Sequence, residues 1–344
     1  MKKELTQSLL DDLVAQAIQK KHIYGAVICV EKGDGSLSLV SGAGNIQAET
    51  PYFIASITKM YVTAVLLKLR SKGQLQLEDK ISRYLSQEIM NKLHVQDGVD
   101  YSNDITIKHL LSNTSGIPTY FTSEFVSELI SGKDQAWSLD KTLDVIKSKK
   151  PSFKPGQKGK AHYSDPNFHL LGTIVENITG QSIHEVFQAF IFDELQLAKT
   201  YVFEDVNDVR PVPIYYKKQP LYLPHYISSI ASEGGIVSTA QDSMLFLKAF
   251  FNGRLFPKTD LAELTSQWNL LFGPGLFYYG IGICKQPIAM FNWKKGIVGH
   301  WGQSGAFAFY HEETDLYFTG TVNQYTGHSV AARMMMKVIK MMEK

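Results

Sequence analysis

The chain has 344 residues, 44% of them hydrophobic and 20% charged, ordinary proportions for a globular protein and enough length to bury a core without metal or disulfide support. The 35 Lys and Arg against 33 Asp and Glu leave a formal charge of +2, mixed along the chain, which excludes a polyanion-binding stripe and with it a nucleic-acid partner. Two cysteines in apolar runs, Cys29 and Cys284, exclude a disulfide framework and read as reduced core thiols.

From Met1 to Lys21, Leu5, Leu9, Leu10, Leu13, Val14, Ala17 and Ile18 recur at helical spacing, and Asp11 and Asp12 interrupt any signal-peptide core. The spacing predicts an amphipathic helix packed on the fold and a cytoplasmic protein, or an exported one whose native leader has been removed. No run of about 18 apolar residues exists, so no membrane span is expected. Tyr24 to Glu31 and Leu37 to Val40 flank Gly33-Asp34-Gly35-Ser36, a hairpin signal. A short strand, Tyr52 to Ala55, leads into a helix from Ser56 to about Ser71, stopped by Gly73. Helices are then predicted at Ile105 to Leu111, Ser138 to Lys149, Asn167 to Asn177 behind Pro166, and Ser182 to Phe192. Lys147, Lys149 and Lys150 beside Pro151 read as a solvated helix end. Pro211 to Pro224 reads as extended loop. Ser238-Thr239 before Gln241-Asp242 is a capping box opening a helix through about Phe251. Strand-like runs follow at Phe277 to Cys284, Ala306 to Tyr310 and Leu316 to Asn323, the last two around Glu312-Glu313-Thr314. Val330 to Met342 closes the chain as a helix whose methionines pack the core. The economical topology is α+β: an antiparallel sheet built from both ends of the chain, flanked by N- and C-terminal helices, with an inserted all-helical domain. Residues 1–55 and 230–344 would form the sheet domain and 56–229 the mainly helical one.

Three short motifs carry chemistry. In Ser56-Ile57-Thr58-Lys59 the serine and lysine share one helix face, with Cβ atoms about 5–6 Å apart. A serine hydroxyl needs a neighbouring base to become a useful nucleophile, and Lys59 is placed to be one. A helix starting at Ser56 also aims free backbone N–H groups at the site. Taken alone, the same pattern fits a capping serine beside a surface lysine. Tyr163-Ser164-Asp165 sits on a loop tip between Pro155-Gly156 and the Pro166 helix. Beside a lysine ammonium the phenolate of Tyr163 would become accessible, as base to the serine and acid to the leaving group. Its bland alternative is a packed tyrosine with an N-capping aspartate. Gly299-His300-Trp301-Gly302-Gln303-Ser304-Gly305 leads into a strand, and its glycines allow close approach of a substrate, unless it is simply a turn.

The order and spacing of these motifs resemble the serine β-lactamase and penicillin-binding protein superfamily, whose signatures include S-x-x-K and K-T-G. Tyr163-Ser164-Asp165 is similar to the Tyr-x-Asn of the class C branch. Phe53-Ile54-Ala55, Leu110-Leu111-Ser112-Asn113-Thr114-Ser115-Gly116 and Gly234-Gly235-Ile236-Val237-Ser238-Thr239 agree with that branch. The resemblance implies a serine hydrolase that acts through an acyl-enzyme, without a cofactor, at the junction of sheet and helices. By position it implies Ser56 as the acylated residue, Lys59 as its base partner and Tyr163 as the second proton carrier. The backbone N–H groups of Ser56 and Gln303 would form an oxyanion hole, and Asp165, His300, Trp301 and Gly302 would contact substrate.

Two residues depart from the pattern. His300 stands where penicillin-active members have lysine, so a permanent cation is replaced by a ring that is mostly neutral at pH 7. Asp165 stands where many members have asparagine, adding negative charge. Both changes disfavour carboxylate substrates and shift the reading toward an esterase or D-amino-acid peptidase-like enzyme. A β-lactamase, a D-Ala-D-Ala carboxypeptidase and a non-catalytic ligand-binding relative are the alternatives. An α/β-hydrolase built on Ser304 leaves too little chain for its partners. The ten histidines show no H-E-x-x-H spacing, so no metal is expected. The substrate would be a small molecule or short peptide. Its identity depends on Tyr120 to Phe125 and Pro211 to Tyr226, which the sequence does not place, and it leaves the oligomeric state open.

Overall fold

The computed structural model describes residues 5–272, 277–289 and 292–343. Met1 to Glu4, the start of the expected first helix, lie outside them. Both ends of the chain build one antiparallel sheet. Its eight strands run in the order Asn269–Phe272, Phe277–Tyr279, Cys284–Ala289, Asn292–Trp301, Ala306–His311, Leu316–Thr321, Gly25–Lys32, Ser38–Gly44. The ends meet in the pairing of Gly25–Lys32 with Leu316–Thr321, where Val27 faces Thr321 and Cys29 faces Thr319.

Successive side chains of a strand point to opposite faces, and here both faces are covered. Ala26, Ile28 and Val30 pack with Leu10, Val14, Phe307, Phe318, Met335 and Val338 on the face that carries the two terminal helices. Val27 and Cys29 belong to the other core, with Ala306, Ala308, Phe246 and the helical region. The terminal helices are Gln7–Ile18, whose Thr6 cap accepts from Leu9 N, and His328–Met342. Met334 and Met335 are buried there, as core packing predicts. Both cysteines are free and buried.

On the opposite face lies Ala240–Asn252, capped by Thr239, whose side chain accepts from Asp242 N. Behind it runs Thr58–Ser71, which buries eleven of its fourteen residues. A helix buried on all sides belongs to the centre of a domain, and Tyr61 stacks on Phe246 with ring centroids 3.5 Å apart. Pro166–Thr179 and Ile183–Phe187 pack on it, Ile107–Leu111 and Leu139–Ser148 pack on Pro166–Thr179, and Ser123–Ile130 joins a separate apolar cluster. A three-stranded sheet, Tyr52–Phe53, Ile236–Ser238 and Tyr201–Val202, ties the two regions together.

Three local readings are corrected. Pro211 to Pro224 contains a hairpin, Ile214–Tyr216 with Gln219–Leu221, held by Tyr215 N–H on Asn323 O (3.2 Å) and Tyr325 N–H on Tyr215 O (2.8 Å). Those bonds come from a distant part of the chain, so local composition could not announce them. Phe277 to Cys284 is two strands, Phe277–Tyr279 and the start of Cys284–Ala289. Between them Gly282 adopts φ +69°, and a Cβ there would come within 1.9 Å of Thr63 Oγ1, so the turn lies directly on the helix Thr58–Ser71. The helix from Ser182 is interrupted by a π-helical turn, Gln188–Phe192, which brings Ile191 and Phe192 into the core. His300 and Trp301 end the strand Asn292–Trp301, and the motif then leads into the strand Ala306–His311, as expected.

Candidate active site

Ser56 does not open the α-helix. It lies in a 3-10 turn, Ala55–Ile57, and the α-helix starts at Thr58. Ala55 has φ +48°, a left-handed conformation that costs a residue with a Cβ about 1–2 kcal/mol. Strain of this kind persists only where neighbours enforce it. Ile54 N–H donates to Ile236 O (3.0 Å), and Ser304 Oγ donates to Phe53 O (2.6 Å). A Cβ at Gly302 would lie 2.2 Å from Ile54 O, so only glycine lets the third motif pack against the Ala55–Ile57 turn. Ser304 is 2% exposed and occupied in this brace, which is no arrangement for a nucleophile.

Lys59 is fully buried and donates three hydrogen bonds: to Ser56 Oγ (3.0 Å), Asp165 Oδ1 (2.8 Å) and Glu233 O (2.7 Å). An ammonium has three protons and no lone pair, so in this arrangement Lys59 is a cation with every proton placed. Burial raises the Asp165 carboxyl above the ordinary range, Glu233 adds to the rise, and Lys59 opposes it. Glu233 was not singled out in the sequence. It is buried, its carboxylate meets the Tyr120 hydroxyl and His169 Nδ1, and its backbone oxygen is the third anchor of Lys59.

The loop carrying Tyr163 is held by Asn113. Asn113 O accepts from His162 N (2.9 Å), and its Oδ1 accepts from Ser164 N (3.1 Å) and Asn167 Nδ2 (2.9 Å). Asn113 itself has φ +57°, a conformation that asparagine tolerates better than most residues. The Tyr163 hydroxyl faces the Ser56 side chain, and its ring lies 5.3 Å from Lys59 Nζ. Its phenol is nevertheless pushed well above the usual tyrosine range, by burial and by the Asp165 carboxylate. The expectation of an accessible phenolate is therefore corrected: Asp165 answers the charge of Lys59, and Tyr163 is a neutral hydroxyl that can donate.

His300 also differs from expectation. Its Nδ1 lies 2.7 Å from Trp301 O and its Nε2 lies 3.2 Å from Tyr279 Oη. The carbonyl can only accept, so Nδ1 carries the proton and Nε2 accepts from the tyrosine. No N–H of the ring is left for a substrate. Burial and the nearby Lys59 charge depress the ring to about 3. His300 thus forms neutral wall, not a polar contact. Trp301 donates Nε1–H to Gln286 Oε1 (2.8 Å).

A cavity of about 490 Å³ opens at Ser56, with Tyr163, Asp165, His300, Trp301 and Gln303 on its wall. Gly302 is behind the wall, in the brace already described. Among the described residues no Lys or Arg lines the cavity, whereas Asp165 and Glu233 do. Of the described residues, His311, Glu313 and Glu343 could share a cation, but none of them lines the cavity.

Comparison with known proteins places this geometry. Protein flp of Staphylococcus aureus strain MW2 is 33% identical over 210 residues, covering 59% of this chain and 39% of the relative, so the chain spans about two-fifths of that protein's length. A D-stereospecific amidohydrolase from Streptomyces has a similar structure (TM-score 0.77, 23% identity, 95% of this chain and 98% of that one). So does EstCE1, a hydrolase with promiscuous acyltransferase activity (TM-score 0.77, 19% identity, 97% of each chain). At those identities the likeness is one of fold. The family model described as Beta-lactamase runs from residue 10 to residue 337, across the Ala55–Ile57 turn, the Tyr163 loop and the Gly302 brace alike, and the chain belongs to the beta-lactamase family.

Proposed function

We propose that the protein is a serine hydrolase that cleaves uncharged esters or amides through an acyl-enzyme on Ser56. The observation that carries this reading is the convergence of Ser56, Asp165 and Tyr163 on one cavity, with Lys59 buried behind them and bonded to Ser56 and Asp165. Lys59 becomes a base when it passes one proton to Asp165 Oδ1. Its lone pair then takes the Ser56 proton as Oγ bonds to the substrate carbonyl carbon. The N–H groups of Ser56 and Gln303 hold the resulting oxyanion. As the bond to the leaving group breaks, Tyr163 gives that group a proton and is refilled from Lys59, which recovers its own from Asp165. Water then takes the place of the leaving group, and the same transfers run in reverse to release the acid and restore Ser56.

The absence of Lys and Arg from the described cavity wall, the neutral His300 and the two carboxylates support neutral substrates over carboxylates. This favours an esterase or a D-amino-acid amidase-like activity over a β-lactamase or carboxypeptidase. The division into a sheet domain (1–55 and 230–344) and a helical domain (56–229), with the site between them, is part of this proposal, as is a substrate of small-molecule or short-peptide size. No described helix is long and apolar enough to cross a membrane.

A fluorophosphonate probe tests the nucleophile: it should label Ser56 alone, and Ser56→Ala should abolish labelling. Label found on Ser304, or surviving in Ser56→Ala, would overturn the mechanism.

A further inference from the structure

The cavity has two ends of different character. One end lies against the sheet, where Leu271, Phe277 and Trp301 stand near Tyr163. The Tyr163 ring packs there against Tyr279 and His300, with centroids 5.8 Å and 6.3 Å away. A second recess of about 320 Å³ shares Phe277, Trp301, Gln303 and His328 with this end. The other end is walled by Val126 and Leu129 of Ser123–Ile130, by Ile214 and Leu221 of the small hairpin, and by Ile227 and Ile230 beyond it. These six side chains offer no hydrogen-bonding group. Leu129, Ile214, Leu221, Ile227 and Ile230 are set in an aromatic and aliphatic cluster that includes Phe125, Trp137 and Tyr226.

The chemistry assigns the two ends. A general acid must reach the atom it protonates, so the leaving group lies on the Tyr163 side. The acyl part then points the other way, into the aliphatic wall. We infer that this wall is an acyl-binding site for an uncharged, medium-length aliphatic or arylalkyl chain, and that the preferred substrates are esters or amides of such acids. The inference rests on the serine hydrolase reading and adds the substrate's acyl class to it. Apolar surface moved from water to such a wall is stabilised roughly in proportion to its area. Transition-state binding therefore grows with chain length until the wall is filled.

The experiment is a matched series of p-nitrophenyl esters from acetate to octanoate, set against acetate esters of alcohols of increasing length. Each buried methylene is worth up to about fourfold, and kcat/KM should rise at least about tenfold from acetate to octanoate. The alcohol series should show no comparable rise. Val126→Trp and Ile214→Trp fill the wall from two different elements, and each should lower the octanoate-to-acetate ratio about tenfold. The ratio removes any common loss of rate, and thermal melting checks that each variant is folded. A flat or falling acyl series, or a rise confined to the alcohol series, would overturn the acyl site while leaving the hydrolase standing. Absence of ester turnover together with an unlabelled Ser56 would overturn the hydrolase reading, and the acyl site with it.

Discussion

At the floor of the cleft every proton of Lys59 has a partner, drawn from Ser56, Asp165 and Glu233; on the wall, Val126, Leu129, Ile214 and Ile230 meet the cavity with hydrocarbon alone. The floor joins three distant stretches of chain through directional bonds between buried groups. The wall joins a helix, a hairpin and a short helical turn by contact. Removing one member of the floor strands a charge or a donor in a dry place, which is expensive. Changing one wall residue alters shape and area, and the loss scales with what is removed. The floor should therefore tolerate almost no substitution without loss of chemistry, whereas the wall can vary and move specificity with it.

The largest effects should come from breaking the floor. Lys59→Ala and Tyr163→Phe should each slow ester turnover by about 10²–10⁴-fold, the usual range for groups that move protons. The double variant should lose far less than the product of the two, because residues acting as one unit are not additive. Multiplicative losses would show that they act separately. Lys59→Ala should also lower stability by about 3 kcal/mol, since Asp165 loses the cation that holds it. Tyr163→Phe, which removes a hydroxyl and no charge, should cost much less.

Asp165 gives the same comparison a pH axis. The mechanism needs its carboxylate ionised, ready to take a proton from Lys59. Burial and Glu233 raise this carboxyl, with Lys59 opposing, so kcat should fall as pH drops through a pKa above the ordinary aspartate value. Asp165→Asn cannot titrate there and should lose that acid limb, along with about 10²-fold in rate. Persistence of the limb in Asp165→Asn would assign it to another group.

Much of the floor was legible because its side chains sit in short motifs: Ser56 and Lys59 are one helical turn apart, and Tyr163 and Asp165 share a loop. Glu233 was not legible, since its backbone oxygen contacts Lys59 and a carbonyl has no residue-type signature. Asn113 stood in a recognised phrase, yet its task of holding the Tyr163 loop follows from bonds to residues far along the chain. The sheet could be read from alternation and hairpin signals at both ends of the sequence. The hairpin Ile214–Leu221 could not, because proline and tyrosine composition reads as loop and its strands depend on Asn323 and Tyr325. Without that hairpin the wall, and so the acyl site, stays invisible. The neutrality of His300 was expected from the residue type. The depth of burial that makes it neutral far below pH 6, and removes its spare N–H, is a tertiary fact.

His300 lies where floor meets wall, and it carries the smallest expected effect. An isolated histidine would gain charge between pH 8 and 5 and begin to attract carboxylates. With the ring depressed to about 3, His300 should contribute no change across about pH 5–8 to the wild type's preference for a neutral ester over its matched carboxylate, so wild type and His300→Gln should show the same pH dependence. This reverses what the residue type alone would suggest. His300→Lys would put an ammonium beside the cavity and should shift kcat/KM toward the carboxylate ester by roughly tenfold, equivalent to about 1.4 kcal/mol. The substitution also removes the ring partners of the Tyr279 hydroxyl and Trp301 O, in a place where His300 is 2% exposed. A stability loss of about 1–3 kcal/mol should accompany it. His300→Gln separates the two consequences: it disturbs the same hydrogen bonds without adding charge, so it should lose stability and leave the charge preference where it was. The measurement is the neutral-to-anionic ratio of kcat/KM for wild type and both variants, alongside their melting temperatures. A wild type that already prefers the anionic ester would return the site to the penicillin-binding or peptidase reading. A preference that changes with pH in the wild type but not in His300→Gln would show that the ring titrates in the working range after all.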